Sequence, residues 1–403
     1  ECQNSGNIDK KFYQSSELFS NISFKQIIKK KVLRNNLIKY NYNLLTESFF
    51  FKIVQLLTLV HAVSNCDIIC QGRPGIGKTL IYVVAFIEQI NESFNTVQAL
   101  SIAPTRELAI QIFWIFKKLS QNEESLKIFC LIGGTPFDNQ ARKIRKITPK
   151  LIVSTLGRLY QQVRTKKVLL NFVNFLAIDE CDHIIESQKL FKILIKIFEE
   201  THSNKQVILM STTMSIQTKL VCKNLTKMAF EVYINDSKTS TVPNSINYSI
   251  STNNNNDLYL LFLMLRNLNY NKVIIFTSSI SRARALNEIL NNNNIKSYCI
   301  HSRLKQSFRL RILKKFSKID KMILIGTDLL SRGLDFEQVD IVINFDLSGS
   351  TNQGKSYFSN LTNRIGRVGR LNKKGISISL IKSSTDTYLK NDVLKSFKII
   401  DFL

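Results

Sequence analysis

Eight residues, Gly72-Arg73-Pro74-Gly75-Ile76-Gly77-Lys78-Thr79, have the spacing of a loop built to hold phosphate. Glycines let backbone N–H groups turn toward phosphate oxygens, Lys78 reaches the terminal phosphates and the Thr79 hydroxyl is placed for Mg2+. The segment follows the apolar run Asp67-Ile68-Ile69-Cys70 and precedes another, Leu80 to Ile87. A strand, a loop and a helix N-terminus are therefore expected in that order, as the motif requires. Further on, Phe175-Leu176-Ala177-Ile178 runs into Asp179-Glu180-Cys181-Asp182. At the end of a buried parallel strand, the first carboxylate can take the metal and the next can orient or deprotonate water, so Asp179 and Glu180 are expected in these roles. Together the two segments predict a nucleoside triphosphatase that uses ATP and Mg2+.

Near the other end stands Asn363-Arg364-Ile365-Gly366-Arg367-Val368-Gly369-Arg370. Arg367 and Arg370, three residues apart, are expected on one face of a helix start. Glycines between them permit close approach to another surface. Such a pair can act as arginine fingers on a γ-phosphate.

These groups need a scaffold, and the hydrophobic pattern predicts one. Short β-branched runs alternate with longer helical segments, with strands expected at Asp67–Cys70, Ala99–Ala103, Lys127–Ile132, Lys150–Val153, Phe175–Ile178 and Gln206–Met210. A polar stretch at 235–244 interrupts the alternation, which resumes with strands at Lys272–Phe276, Lys296–Ile300, Met322–Ile325, Ile341–Phe345 and Gly375–Ile381. Such alternation implies parallel sheets flanked by helices. The expected class is α/β with two tandem RecA-like domains. The expected boundaries are an N-terminal extension at 1–24, an ATP-binding domain at 25–234, a linker at 235–244 and a second domain at 245–403. The second half has no phosphate loop, which suggests ATP clamped between halves with the second supplying arginines.

The 403 residues suffice for two cores, and no apolar run reaches the ~20 residues of a membrane helix. The opening ECQNSGNIDKKFYQSSE resembles neither a secretory signal nor a transit peptide. Seven cysteines, mostly inside apolar segments, read as reduced core thiols of an intracellular protein. A formal charge of +26 favours a polyanionic partner, nucleic acid first, although richness in Asn, Ile and Lys can also come from a biased coding genome. The basic stretch Lys25 to Lys39 is expected as an entry helix whose Lys29-Lys30-Lys31 either grips nucleic acid or is a solvated face. Trp114 is expected in the core, and His61, His183, His202 and His301 at the surface or at caps.

The chain resembles the DEAD-box RNA helicases from about residue 50 to residue 382. The resemblance rests on further segments in the family's order: Ala103-Pro104-Thr105-Arg106-Glu107-Leu108-Ala109, Gly133-Gly134, Ser154-Thr155-Leu156-Gly157-Arg158-Leu159, Ser211-Thr212-Thr213, Gln306-Ser307-Phe308-Arg309, Gly326-Thr327-Asp328 and Ser331-Arg332-Gly333-Leu334-Asp335. It implies sequence-independent RNA binding, with Pro104, Thr105, Arg106, Gly134, Thr155, Gly157 and Arg158 in the first half and Ser279, Arg309 and Thr327 in the second holding the sugar–phosphate backbone. It also implies Gln55 at the adenine, Gly72, Gly75, Gly77, Lys78 and Thr79 at the phosphates, and Asp335 at the ribose. Asp182, Ser211, Thr213 and Asn363 would couple ATP to RNA. DECD in place of DEAD resembles the subfamily acting in spliceosome assembly and nuclear mRNA export, which implies a nuclear enzyme with splicing or export proteins as partners. Alternatives are an ATP-gated RNA clamp with little unwinding, a translation or ribosome-assembly helicase and, remotely, a DNA translocase. The chain departs from the family at Arg73-Pro74, at Thr212, at Asn363 where a His is usual, and in the lengthened stretch Ser348 to Lys355. Asn keeps hydrogen-bonding capacity but cannot be protonated.

Overall fold

The structure, a computed structural model, describes residues 27–40, 49–72, 77–234, 245–252, 256–331, 336, 339–347, 360–361, 363–369, 375–382 and 398–400. The expected linker at 235–244, the extension at 1–24 and the stretch Ser348 to Lys355 lie outside them. The chain divides after Asn235 into two compact units.

The first unit is built on β1 (Ile68–Gln71), β2 (Ala99–Ala103), β3 (Ile128–Leu131), β4 (Leu151–Thr155), β5 (Phe175–Ile178), β6 (Gln206–Ser211) and β7 (Phe230–Tyr233). Their order across the sheet is β3-β4-β2-β5-β6-β1-β7, and every pairing is parallel. The second unit carries β8 (Ser245–Thr252), β9 (Lys272–Phe276), β10 (Ser297–Ile300), β11 (Met322–Gly326), β12 (Ile341–Asn344), β13 (Gly375–Lys382) and β14 (Lys398–Ile400). Its order is β10-β11-β9-β12-β13-β8-β14, again all parallel. Numbered within its own unit, each sheet runs 3-4-2-5-6-1-7, so the two halves share one topology.

Side chains alternate across a strand, and helices cover both faces of each sheet, so the strands read as continuous apolar runs. Ile68 and Cys70 belong to one core while Ile69 belongs to the other. In the second unit Val273 and Ile275 likewise face one core, and Ile274 and Phe276 the other. Each fully buried aliphatic side chain contributes about 1.5–3 kcal/mol of transfer free energy.

The expected strands are present, with ends shifted by a residue or two. β7, β8 and β14 were not anticipated. β8 reads Ser-Ile-Asn-Tyr-Ser-Ile-Ser-Thr, whose Ser and Asn weaken the strand signal, yet Asn247, Ser249 and Thr252 are buried beside β13. The entry helix is shorter than expected, spanning Lys31–Lys39. The arginine segment differs too: Asn363 to Ile365 are helical, and Arg367 lies in the turn beyond rather than on the face of a helix start. Gly366 and Gly369, the latter at φ 71°, break the helix there.

Candidate functional site

Loops at the C-terminal ends of parallel strands are where open α/β sheets bind ligands. Because β5, β6 and β1 are neighbours, the phosphate loop after β1, the Asp179 segment after β5 and Ser211 at the end of β6 emerge side by side. The loop's Gly72 N–H donates to the Ser211 carbonyl at 3.1 Å. Lys78 and Thr79 open the helix Lys78–Gln89, with Gly77 at its N-cap in the left-handed region at φ 82°. A Cβ on Gly77 would stand 2.2 Å from the Gln55 amide nitrogen, so Gln55, itself buried, lies directly against Gly77. Gly75 lies outside the described residues.

Thr79 Oγ1 donates to Asp179 Oδ2 at 2.8 Å, so the hydroxyl and carboxylate expected to share a metal are in contact. The same oxygen accepts from Tyr82 Oη at 3.0 Å, and Asp179 Oδ1 accepts from the Glu180 N–H at 3.0 Å. Burial raises the Asp179 carboxyl above its ordinary range, opposed first by the Thr79 hydrogen bond and then by the Lys78 charge. Burial also lowers the Lys78 ammonium, whose Nζ donates to the Gly72 carbonyl. Glu180 holds a left-handed backbone at φ 49°, ψ 49°, a conformation that costs a non-glycine residue about 1–3 kcal/mol and concentrates at functional sites. Thr213 Oγ1 donates to Asp182 Oδ2 at 2.9 Å, while Ser211 Oγ donates to the Thr213 carbonyl at 2.5 Å. A hydrogen-bonded chain thus runs from the phosphate loop through Ser211 and Thr213 to Asp182. The oxygens of Thr79 and Asp179 are hard donors converging beside a phosphate loop, a set that fits Mg2+.

At the other side of the same sheet edge, β2 and β4 are paired with Ala103 opposite Thr155, and β3 flanks β4. Pro104, Thr105 and Arg106 after β2, Gly134 after β3, and Thr155, Gly157 and Arg158 around the end of β4 therefore gather in one region. Gly134 is exposed at φ 94°, and a Cβ on Gly157 would meet nothing within 4 Å, so both leave room for another backbone. The Arg106 guanidinium packs on Gly133, and Arg158 Nη2 donates to the Thr135 carbonyl at 3.0 Å. Burial and then the Arg106 charge lower the proton affinity of Arg158. An anion bound beside Arg158 would offset that repulsion. Thr105 spends its hydroxyl on the Leu108 N–H, capping the helix Arg106–Leu119, whereas Thr155 makes no such side-chain cap.

In the second unit, Ser279 caps the helix Ile280–Asn292 after β9, Thr327 follows β11, and Arg309 is buried on the helix Gln306–Lys318 with Nη2 donating to Gln306. Arg367 is buried and its Nε donates to the Asn363 carbonyl at 3.1 Å. Arg370 and Asp335 lie outside the described residues.

Several supporting groups escaped the sequence reading. In the sequence Tyr82 reads as part of an apolar helix, although its position three residues after Thr79 puts it on the same face. Arg364, 1% exposed, donates from Nε to Asp328 at 2.6 Å and from Nη1 to the Asp346 carbonyl at 2.7 Å. Asp346 in turn accepts from Arg282 Nε at 2.6 Å and from the Ser278 N–H at 3.2 Å. This network ties the ends of β9, β11 and β12 to the arginine segment. Two expectations are corrected. His301 is buried and accepts from Arg284 Nε at 3.0 Å, because it sits in the turn leaving β10 under the helix Ile280–Asn292. Trp114 is 58% exposed, because the buried stripe of its helix is Leu108, Ile112, Phe116 and Leu119, on the opposite side.

The chain is similar to known proteins across both units. The profile described as DEAD/DEAH box helicase matches residues 52–221, and the one described as helicase conserved C-terminal domain matches residues 255–372. "DEAD-box ATP-dependent RNA helicase 15" of Arabidopsis thaliana is 34% identical over 346 residues, covering 86% of this chain and 79% of the relative. "ATP-dependent RNA helicase SUB2" of Debaryomyces hansenii is 31% identical over 353 residues, covering 87% and 80%. Among solved structures, S. cerevisiae Dbp5 bound to RNA and ADP BeF3 superposes with a TM-score of 0.84 at 21% identity, covering 94% of this chain and 95% of that one, a likeness of fold. With both profiles falling on the two sheets that carry these sites, the chain belongs to the DEAD-box family of ATP-dependent RNA helicases.

Proposed function

We propose that the enzyme remodels RNA or RNA–protein complexes during pre-mRNA splicing and nuclear mRNA export, coupling ATP hydrolysis on its first unit to sequence-independent RNA binding. The reading of the site rests on one observation above the others. Thr79, Asp179 and Lys78 converge at one end of the sheet, and hydrogen bonds link that end through Ser211 and Thr213 to Asp182. The assignment to splicing and export rests on DECD in the sequence and on relatives named SUB2.

In this reading Lys78 leaves the Gly72 carbonyl for the phosphates, and Glu180, held by its constrained backbone, orients or deprotonates the attacking water. Thr79 and Asp179 would hold Mg2+, which when bound supplies charge neutralisation at the phosphates. Gln55 reads the adenine and Asp335 the ribose. Arg367 and Arg370 stabilise charge developing on the γ-phosphate. RNA is gripped through backbone contacts by Arg106, Arg158 and Arg309 with the hydroxyls and N–H groups around them, which carries no base preference. Asp182, Ser211, Thr213 and Asn363 transmit the state of one site to the other. The expected domain limits, 25–234 and 245–403, complete the proposal.

Steady-state ATP hydrolysis with and without single-stranded RNA tests it, with Lys78→Ala and Glu180→Gln alongside. RNA should stimulate the parent enzyme. Glu180→Gln should still bind ATP and RNA while turnover falls by about 10²-fold or more, the usual scale for losing a general base. Normal turnover in that variant overturns the assignment of Glu180. Hydrolysis indifferent to RNA overturns the coupling.

A further inference from the structure

The helix Arg106–Leu119 begins in the RNA-facing loop and ends in a part of the surface to which no role has been given. Its solvent stripe carries Trp114, Lys117 and Lys118, all exposed and related by i, i+3 and i, i+4 spacing. Trp114 rests edge-on against Phe113, with ring centroids 5.5 Å apart, so one aromatic edge is anchored while 58% of the residue remains exposed. The neighbouring helix Lys31–Lys39 adds Lys39 and Tyr40. Lys118 Nζ lies 5.8 Å and Lys39 Nζ 5.3 Å from the Tyr40 ring centre. The helix's own carboxylate, Glu107, is buried in its first turn, and the next along the chain, Glu123 and Glu124, come after the helix has ended. An exposed indole bordered by lysines on a protein of net charge +26 is the chemistry of a single-strand stacking platform: a π-face for a base and cations for the phosphates on either side.

We propose that Trp114, with Lys117, Lys118 and Lys39, is an auxiliary binding site for single-stranded RNA that extends the strand held at Thr105 and Arg106. Eight residues of helix separate Arg106 from Trp114, about 12 Å at 1.5 Å per residue, so the strand reaches the platform within a few nucleotides. The site depends on the RNA-binding reading above, and it adds a length dependence that this reading lacks. RNA too short to leave the loops gains nothing from Trp114, and longer RNA gains one stacked base and two or three phosphate contacts. Bases of any kind stack, so the platform adds affinity without sequence choice.

Trp114 is the chain's one tryptophan, which makes its fluorescence a direct reporter. Intrinsic fluorescence and the anisotropy of labelled RNA would be followed on titrating the full chain with an oligonucleotide of about 6 nucleotides and one of about 20, with a non-hydrolysable ATP analogue present. The long RNA should quench Trp114 and the short one should not. Trp114→Ala should weaken binding of the long RNA by on the order of 5- to 10-fold, the lower part of what one stacked base contributes, and leave the short RNA and its ATPase stimulation unchanged. Trp114→Phe, which keeps a ring, should recover most of the loss. Lys117→Ala with Lys118→Ala alters two exposed side chains, so folding is preserved, and should flatten the salt dependence for the long RNA by about one unit of slope. A silent Trp114 together with unchanged long-RNA affinity in both variants overturns the platform while leaving the RNA-coupled ATPase standing. Equal losses on short and long RNA also overturn it, since the residue would then act through the fold. A parent protein that binds neither RNA fails the broader reading instead.

Discussion

Replacing Gly77 by Ala separates two consequences of the phosphate-loop geometry. At φ 82° an L-residue pays roughly 1–2 kcal/mol that glycine does not. The added Cβ would also stand 2.2 Å from the Gln55 amide nitrogen, the far end of a flexible side chain that can swing aside. Moving it removes a buried amide from its place, at about 1–3 kcal/mol. The two together come to roughly 2–5 kcal/mol, and at about 2–4 °C per kcal/mol for a unit of this size the melting temperature should fall on the order of 10 °C. In a Gln55→Ala background only the backbone term remains, so Gly77→Ala should then cost roughly 1–2 kcal/mol. The assay is a double-mutant cycle by chemical denaturation and thermal unfolding, with nucleotide affinity measured in parallel. Equal costs in the two backgrounds refute the contact between Gln55 and Gly77. No cost in either refutes the left-handed geometry itself.

Tyr82→Phe removes a donor to the Asp179 carboxylate and should lower stability by about 1.5–3 kcal/mol in urea denaturation, the scale for hydrogen bonds to charged groups. Arg364→Met leaves Asp328 without its guanidinium and opens the network at Asp346. Because Asp328 is one-third exposed, the loss should be about 2 kcal/mol rather than that of a fully buried pair, read as unfolding of the second unit in denaturant. His301 is held neutral by burial, reinforced by the charges of Arg284, Arg303 and Arg309, so its folded pKa lies below the ordinary value. The unfolded chain takes up the proton first, so this contribution to stability is full above about pH 6.5 and is lost as pH falls toward the depressed value. His301→Gln should flatten that part of the stability–pH curve, and an unchanged slope below pH 6.5 would argue against the buried neutral form.

Local chemistry was legible along the chain. The phosphate loop, the carboxylate strand end and the strand–helix alternation depend on residue type and spacing, and β2, β5 and β9 came out with the limits their apolar runs predicted. β8 did not, because its Ser and Asn residues suit a strand only when neighbours already bury and pair them. Trp114 and His301 failed for a related reason: whether a side chain faces core or solvent depends on what packs against its element. Residue type and spacing alone mark the groups with the chemistry to bind phosphate, take a metal and activate water, since those capacities reside in single side chains and short loops. Tertiary structure alone decided the rest. The order β5-β6-β1 sets the loops of three distant segments side by side, and parallel pairing aims them at the same edge. Tyr82 became a partner of Asp179, and Arg364 a buried tie to Asp328, only once backbone pairing and burial had fixed which charges stand within hydrogen-bonding reach of one another.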